Sequence, residues 1–345
     1  MTQFTKITPS DIAGAMDLET WQVWRLAKCL VLYFRPSRKQ RVGKKYRLID
    51  PVNWWLKKRF RKLHRWLQRE RLAHPRAFGG VVGRSCFLHA DRHLGRKFVW
   101  TRDISDCFPS ISPEAMRAAL LVLGFRADTA KLLALLFTVR GRVPQGSPLS
   151  NDALNLFLWA IDQCLSSIAG QSGLSSGRFC DDFVIAGDKL FAGDSAMRLL
   201  EQKLQEKELR INQKKRKENG LQRRDSGQLV HNIDVSSSRG TRITRQQRFE
   251  AASLCQKFVT ACRSIQPPSI ASTAYLRTRL VGYMHYHRQA RISLARHIRQ
   301  QIEIGDRHVL RKLSHLKITA ERNKWWLNQR GHNEPQRLAA LWEKQ

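Results

Sequence analysis

Asp181 and Asp182 stand side by side between Phe179-Cys180 and Phe183-Val184-Ile185. Two carboxylates flanked by apolar residues are expensive to bury unless a cation sits on them. A divalent ion such as Mg²⁺ is the simplest cation, because it takes oxygen ligands and keeps positions open for substrate phosphates. For the pair alone, a plain β-turn is the alternative, since Asp is common there. A third acid changes the weighing. Asp103 closes the apolar run Phe98-Val99-Trp100. Two-metal phosphoryl transfer needs carboxylates from separate strands converging on ions about 3.5–4 Å apart. Asp103 with Asp181 and Asp182 supplies such a set. One ion would activate an attacking 3′-hydroxyl and the other would steady a leaving pyrophosphate. Asp106 is a weaker ligand candidate, with capping of a helix that begins near Pro113 as its other reading.

These acids need strands to carry them. Lys97–Asp103 reads as a buried strand running into an acid. Arg178–Ala186 reads as a strand–turn–strand hairpin with acids at its tip. Around them the period changes to that of helices. One amphipathic helix is expected over Asp17–Leu30. A second covers Trp54–Leu72, where Trp55, Leu56, Phe60, Leu63, Trp66 and Leu67 share one face and Lys and Arg fill the other. Pro113–Phe137 carries two helical patterns split near Gly124, and Asp152–Leu165 and Ser195–Leu209 carry one each. Leu229–Thr244 reads as strands around Ser236-Ser237-Ser238-Arg239-Gly240. From Gln246 onward the pattern is helical and basic, broken at Pro267-Pro268.

Charge narrows the partner. Among 345 residues Lys and Arg number 62 and Asp and Glu 28, a net charge of +34, while 42% hydrophobic residues suffice for a sizeable core. Charge of that size repels itself and excludes an ordinary metabolic-enzyme surface. A polyanion is the natural counterweight, with nucleic acid first and an anionic membrane second. The cationic face of the Trp54–Leu72 helix is nearly free of acids, which favours phosphate contact over a merely solvated face. Seven scattered cysteines show no CxxC pair, so zinc is not expected and a reducing compartment is. Met1–Ser10 lacks the plan of a signal peptide, and no apolar run approaches the length of a membrane span. A cytoplasmic, bacterial protein without a membrane partner is expected.

Six segments then fall in order over residues 34–290. They are Arg47-Leu48-Ile49-Asp50-Pro51, Gly83-Arg84-Ser85, Asp103-Ile104-Ser105-Asp106-Cys107-Phe108-Pro109-Ser110-Ile111, Val143-Pro144-Gln145-Gly146-Ser147-Pro148-Leu149-Ser150, Phe179-Cys180-Asp181-Asp182, and Leu209-Arg210-Ile211-Asn212-Gln213-Lys214-Lys215. Together they resemble a reverse transcriptase of the bacterial retron and group II intron type. The resemblance implies an α+β right-hand polymerase. Residues 1–33 would be an N-terminal helical extension and 34–100 the fingers, part of which returns at about 113–150. Residues 101–245 would be an antiparallel-sheet palm with the catalytic acids, and 246–345 a basic helical thumb and tail.

It also implies roles. Asp103, Asp181 and Asp182 match the metal-binding triad, with the Ile104 carbonyl as an extra ligand and two Mg²⁺ ions expected, for which Mn²⁺ substitutes. Phe108 occupies the family's sugar-gate position, where a ring clashes with a 2′-hydroxyl; core packing is its other reading. Gln145 lies beside the incoming base and sugar, and Lys215 near the triphosphate, with Lys214 its close rival. Arg47 and Lys45 are candidates for gripping the triphosphate, the Arg fork being better suited. Arg84 is a further nucleic-acid candidate that could instead pack fingers against palm. Arg277 and Arg279, interleaved with Tyr275, Leu280 and Tyr283, would lie along the template–product duplex unless this stretch is thumb core. Trp325, Trp326 and Trp342 are expected to pack the last helix rather than stack on bases.

The sequence departs from the retron pattern in three places. Phe179 stands where Tyr is more usual, His89-Ala90-Asp91-Arg92-His93 replaces an Asn-Ala-x-x-His segment, and the stretch Asn232-Ile233-Asp234-Val235-Ser236-Ser237 lacks the expected Val-Thr-Gly triplet. These shift the resemblance towards the defence-associated, or unknown-group, reverse transcriptases, class 2 among them. Such an enzyme would copy a structured non-coding RNA from deoxynucleotides into a DNA product in anti-phage defence. A retron enzyme making branched RNA–DNA, or an inactive RNA-binding, maturase-like protein, is the alternative. No endonuclease, zinc, nitrilase or RNase H motif is present, so removal of the RNA strand would fall to a host enzyme or not occur.

Overall fold

The computed structural model describes residues 3–42, 45–264, 270–288 and 292–315. They divide into two compact units, one ending at His231 and the other beginning at Asn232. The sequence reading places the last boundary at 245/246.

In the first unit, α1 (Pro9–Ala15) and α2 (Thr20–Lys28) precede a hairpin of β1 (Arg38–Val42) and β2 (Lys45–Ile49). The long α3 follows (Trp54–Arg69), capped by the Asn53 side chain on the Leu56 amide and burying Leu56, Phe60, Leu63 and Leu67 as the period requires. After α4 (Cys86–Asp91) comes β3 (Phe98–Ser105), then α5 (Pro113–Val122) and α6 (Ala127–Phe137). The expected single helix over Asp152–Leu165 is two, α7 (Ser150–Phe157) and α8 (Trp159–Gln171), which meet at Leu158. Next are β4 (Ser175–Phe179), β5 (Asp182–Gly187), α9 (Leu190–Gln205), β6 (Arg210–Ile211), α10 (Gln213–Asn219), β7 (Leu221–Arg223) and β8 (Leu229–Val230).

The sheet that matters is antiparallel, in the order β4-β5-β3-β6, with β7 also pairing β3. Register puts Gly177 opposite Val184 and Val184 opposite Thr101, so those three share a face, and Asp103, Asp182 and Phe179 lie on it too. The other face carries Trp100 and Ile185. Both faces are covered, which is why β5 is buried almost without alternation. Helix α9 presses on Trp100 so closely that a Cβ on Gly193 would come within 2.2 Å of the indole ring. Helix α4 lies against the acid-bearing face, where Gly177 leaves room for the His89 ring.

In the second unit, a hairpin of β9 (Ile233–Asp234) and β10 (Arg242–Ile243) precedes α11 (Arg245–Arg263), α12 (Ile270–Arg288) and α13 (Ile292–His315). The three helices pack around Leu254, Phe258, Cys262, Leu280, Ile298 and Ile302. Trp325, Trp326 and Trp342 lie outside the described residues. No helix among the described residues is long and apolar enough to cross a membrane.

Candidate active site

Asp103 lies near the end of β3, two residues before its last, Ser105, and Asp181 and Asp182 lie at the tip of the β4–β5 hairpin beside it. Asp103 pairs with Asp182 across the ladder, and the Ile104 amide donates to the Asp181 carbonyl at 3.2 Å. One carboxylate oxygen from each of the three acids falls within 4.8 Å of the others. Carboxylates this close resist joint ionisation. Burial, then the neighbouring Asp103 charge, raises the Asp181 carboxyl. Burial and a hydrogen bond with Asp103 push Asp182 up to about 7.

The cations around the acids answer that charge. Lys215 Nζ donates to Asp103 and stands 3.7 Å from Asp182 Oδ1. Burial alone would lower its ammonium, but the bond to Asp103 and the charge of Asp182 outweigh this and raise it. Asn212 sets the geometry: its side chain caps α10 at the Lys215 amide (3.2 Å), donates to Asp103 Oδ2 (3.0 Å), and its backbone amide donates to the Asp103 carbonyl (2.8 Å). Arg47, exposed on β2, is near enough for its charge to lower Asp181. Lys45 faces Val42 at the open end of the same hairpin's register. A set of three hard oxygen donors that repel one another, with an ammonium already among them, fits a divalent cation.

The linkage has a sign. Asp182 titrates near 7 in the folded chain and near 3.8 unfolded, so between those values the folded state holds the extra proton. Metal-free stability from this group is therefore full below about pH 4 and declines as pH rises to about 7. The melting temperature in EDTA is expected to fall further between pH 5 and 7.5 in the wild type than in Asp182→Asn. Equal falls in the two proteins would show the acids are not strained against each other.

The loop expected to meet the nucleotide is tied to the end of the β1–β2 hairpin by a buried carboxylate, Asp50. It accepts from Ser37 Oγ (2.5 Å), Arg142 Nη2 (3.1 Å), Arg140 Nη1 (3.5 Å) and the Gln145 amide (3.2 Å). Its own amide donates to the Gln145 carbonyl at 2.7 Å. Gly146, at φ 106°, packs where a Cβ would come within 2.9 Å of Ile49. Phe108 sits in the turn after β3, half-buried against the core.

Two candidates are placed elsewhere. Arg277 is buried in α12 and spends its guanidinium on Asp306, Nε to Oδ1 at 2.7 Å and Nη2 to Oδ2 at 2.8 Å. That corrects its reading as a phosphate contact: the cation belongs to the interior of the three-helix unit. Arg84 Nη1 donates to the carbonyls of His74 (2.7 Å) and Ala77, so it holds the loop before α4. Arg279 remains exposed on α12, Leu280 is core and Tyr275 is half-exposed. Asp106, at φ 45°, leaves the capping of α5 to Ser112.

His231, which carries no signal in the sequence, also neighbours the acids. His231 Nδ1 lies 3.9 Å from Asp182 Oδ2, and its Nε2 lies 2.8 Å from His89 Nδ1. Burial, then the charge of Lys215, pushes His231 down to about 4, so it is a neutral ring at physiological pH. Cys180, between Phe179 and the acids, is pushed up to about 11 by burial and the neighbouring Asp181, and remains a thiol.

A family model described as reverse transcriptase (RNA-dependent DNA polymerase) matches residues 38–222. Among curated relatives, the retron Mx65 reverse transcriptase of Myxococcus xanthus is 30% identical over 192 residues, covering 50% of this chain and 44% of the relative. The retron Ec86 reverse transcriptase of Escherichia coli is 26% identical over 116 residues, 34% of this chain and 36% of the relative. The chain thus spans less than half the length of either. Among solved structures, a telomerase from Candida albicans, in complex with a fragment of telomeric RNA, aligns with TM-score 0.43 at 11% identity, over 96% of this chain and 74% of that one. Apo telomerase from Candida tropicalis aligns with TM-score 0.45 at 10% identity, over 86% and 68%.

Proposed function

This chain belongs to the reverse transcriptase (RNA-dependent DNA polymerase) family, and from that membership we propose that it copies an associated structured non-coding RNA into DNA in bacterial anti-phage defence. The observation that carries the polymerase reading is the meeting of the Asp103, Asp181 and Asp182 carboxylates within 4.8 Å of one another at the β4–β5 turn. The three carboxylates, with the Ile104 carbonyl, would hold two Mg²⁺ ions. Bound there, such ions would supply Lewis-acid polarisation of the phosphate and of the attacking hydroxyl.

The protein's own groups do the rest. Asn212 keeps the Asp103 carboxylate oriented. Lys215, which bonds Asp103, would meet a triphosphate, and Arg47 and Lys45 would reach it from the β1–β2 hairpin. A rigid Arg fork binds phosphate oxygens two at a time, which fixes the α-phosphate for in-line attack. Gln145, anchored at both backbone groups by Asp50, borders the base and sugar. Arg279 and the cationic face of α3 would carry sequence-independent phosphate contacts that weaken with salt.

Phe108 would exclude ribonucleotides by its ring. Phe108→Ala is expected to raise ribonucleotide incorporation relative to deoxynucleotide by about 10–100-fold, the scale of steric discrimination in an apolar pocket. Single-nucleotide insertion with each substrate measures it, and an unchanged ratio assigns the ring to the core instead.

The defence reading is supported by the sequence's departures from the retron pattern. The retron reading, with a branched RNA–DNA product, is favoured by the names of the curated relatives. Expressing the chain with its flanking genomic RNA and sequencing the co-purified nucleic acid separates them. A short 2′-linked product means retron chemistry, and long or repeated complementary DNA means the defence type. RNA without DNA, and no labelled deoxynucleotide incorporated, returns the chain to an inactive RNA-binding role.

A further inference from the structure

The turn that carries Asp181 is held in an unfavourable conformation. Strand β4 ends at Phe179 and β5 begins at Asp182, so the turn has two residues, and its first, Cys180, has φ 54°. Glycine is the ordinary occupant of such a place, and a residue with a Cβ stays there only when its surroundings over-determine it. Two groups do so. The Arg178 side chain is fully buried, yet every arm of its guanidinium is used. Nε and Nη2 donate to Asp162 at 2.9 and 2.7 Å, Nη2 also donates to Asn155 Oδ1 at 3.1 Å, and Nη1 donates to the Cys180 carbonyl at 2.6 Å. Gly79 packs against the same turn: a Cβ there would stand 2.3 Å from the Cys180 amide nitrogen. Asn155 joins the two, its Nδ2 donating to the Gly79 carbonyl at 3.0 Å.

An Arg–Asp pair at this depth is weak evidence for stability as such, because removing two ions from water offsets most of their attraction. Its geometry shows a different use. Asp162 on α8 and Asn155 on α7 fix the plane of the guanidinium, and the remaining arm ends on the carbonyl of the residue before Asp181. We infer that Arg178 is a positioning residue for the metal-binding carboxylates, holding the Cys180 turn so that Asp181 and Asp182 meet Asp103; this rests on the reading of those acids as ligands of a divalent ion. Arg178 touches neither substrate nor reacting atoms, and it acts through the backbone of the turn.

Arg178→Lys tests this. A lysine keeps a charge for Asp162 but lacks the fork to reach Asn155 and the Cys180 carbonyl together. Mn²⁺ affinity, read by electron paramagnetic resonance without nucleotide or turnover, is expected to weaken about 10–100-fold, the scale for groups that orient metal ligands. In primer extension the Mg²⁺ needed for half-maximal synthesis is expected to rise in parallel, while the deoxynucleotide KM stays within about twofold of wild type. Circular dichroism establishes that the variant is folded. If Arg178→Lys does not fold, Asn155→Ala, which removes one acceptor and the tie to Gly79, should show the same split to a smaller degree. Wild-type Mn²⁺ affinity in the folded variant overturns the inference while the acids remain ligands. Mn²⁺ affinity that Asp181→Asn leaves unchanged overturns the metal reading and this inference with it.

Discussion

Asp182→Asn is expected to lower DNA synthesis at least about 10³-fold, more than 4 kcal/mol of transition-state stabilisation, while raising the melting temperature of the metal-free protein. Both effects have one cause. Asp182 is isosteric with Asn, so its ladder pairing with Asp103 survives the change. What disappears is a negative charge in a site where three carboxylates crowd within 4.8 Å. For the resting protein that charge is a burden, since burial and the bond with Asp103 push the Asp182 carboxyl up to about 7. In the proposed reaction the same charge would hold the divalent ion. Primer extension on an RNA template and thermal denaturation in EDTA measure the two halves. Retained synthesis in the variant would remove Asp182 from the catalytic set, and a lowered melting temperature would show that the charge is compensated in the resting state.

Asp50→Ala is expected to act on nucleotide binding rather than on the chemical step. Asp50 is 1% exposed and gathers donors from Ser37, Arg140, Arg142 and the Gln145 amide. Arg140 and Arg142 are partly exposed and can turn to water when the carboxylate goes. The Gln145 amide and the Ser37 hydroxyl, both partly buried, lose a partner. Stability is expected to fall by about 2–4 kcal/mol, between the loss of a buried hydrogen-bond partner and the breaking of a buried ion pair. The deoxynucleotide KM is expected to rise about tenfold or more, with the saturated rate less affected, because the loop bearing Gln145 loses its anchor to the hairpin bearing Arg47. Urea denaturation and steady-state kinetics check each part. A destabilised variant with an unchanged KM would show that this loop does not border the nucleotide.

The acids and their strands were legible because each lies in a local pattern: an apolar run ending in Asp103, and an apolar hairpin interrupted by Asp181-Asp182. Helix α3 was legible because its six apolar residues repeat at the helical period over four turns. Arg178, Asp162, Asn155 and Asp50 were not, because a buried ion pair is written with the letters of a solvated surface and its partners are far apart in the chain. The same ambiguity misled in the other direction at Arg277, which in a basic, aromatic stretch resembles a phosphate ligand and is in fact neutralised by Asp306. His231 and Asn212 escaped for a related reason, since one histidine or one helix cap carries no period. The break between α7 and α8 was hidden because Leu154, Leu156, Phe157 and Leu158 continue the apolar run straight through it.

The ladder that sets Asp103 against Asp182 also limits how genes for this protein can vary in length. Side chains on a strand alternate between faces, so one codon gained or lost inside Phe98–Ser105 would carry Asp103 to the Trp100 side, beneath helix α9. Point substitutions along that stretch, Asp103 excepted, leave the alternation intact, but a single-residue indel does not. A survey of tolerated indels, scored by synthesis in cells, should find Phe98–Ser105 and Asp182–Gly187 empty of them, with survivors gathered in the connections outside the ladder.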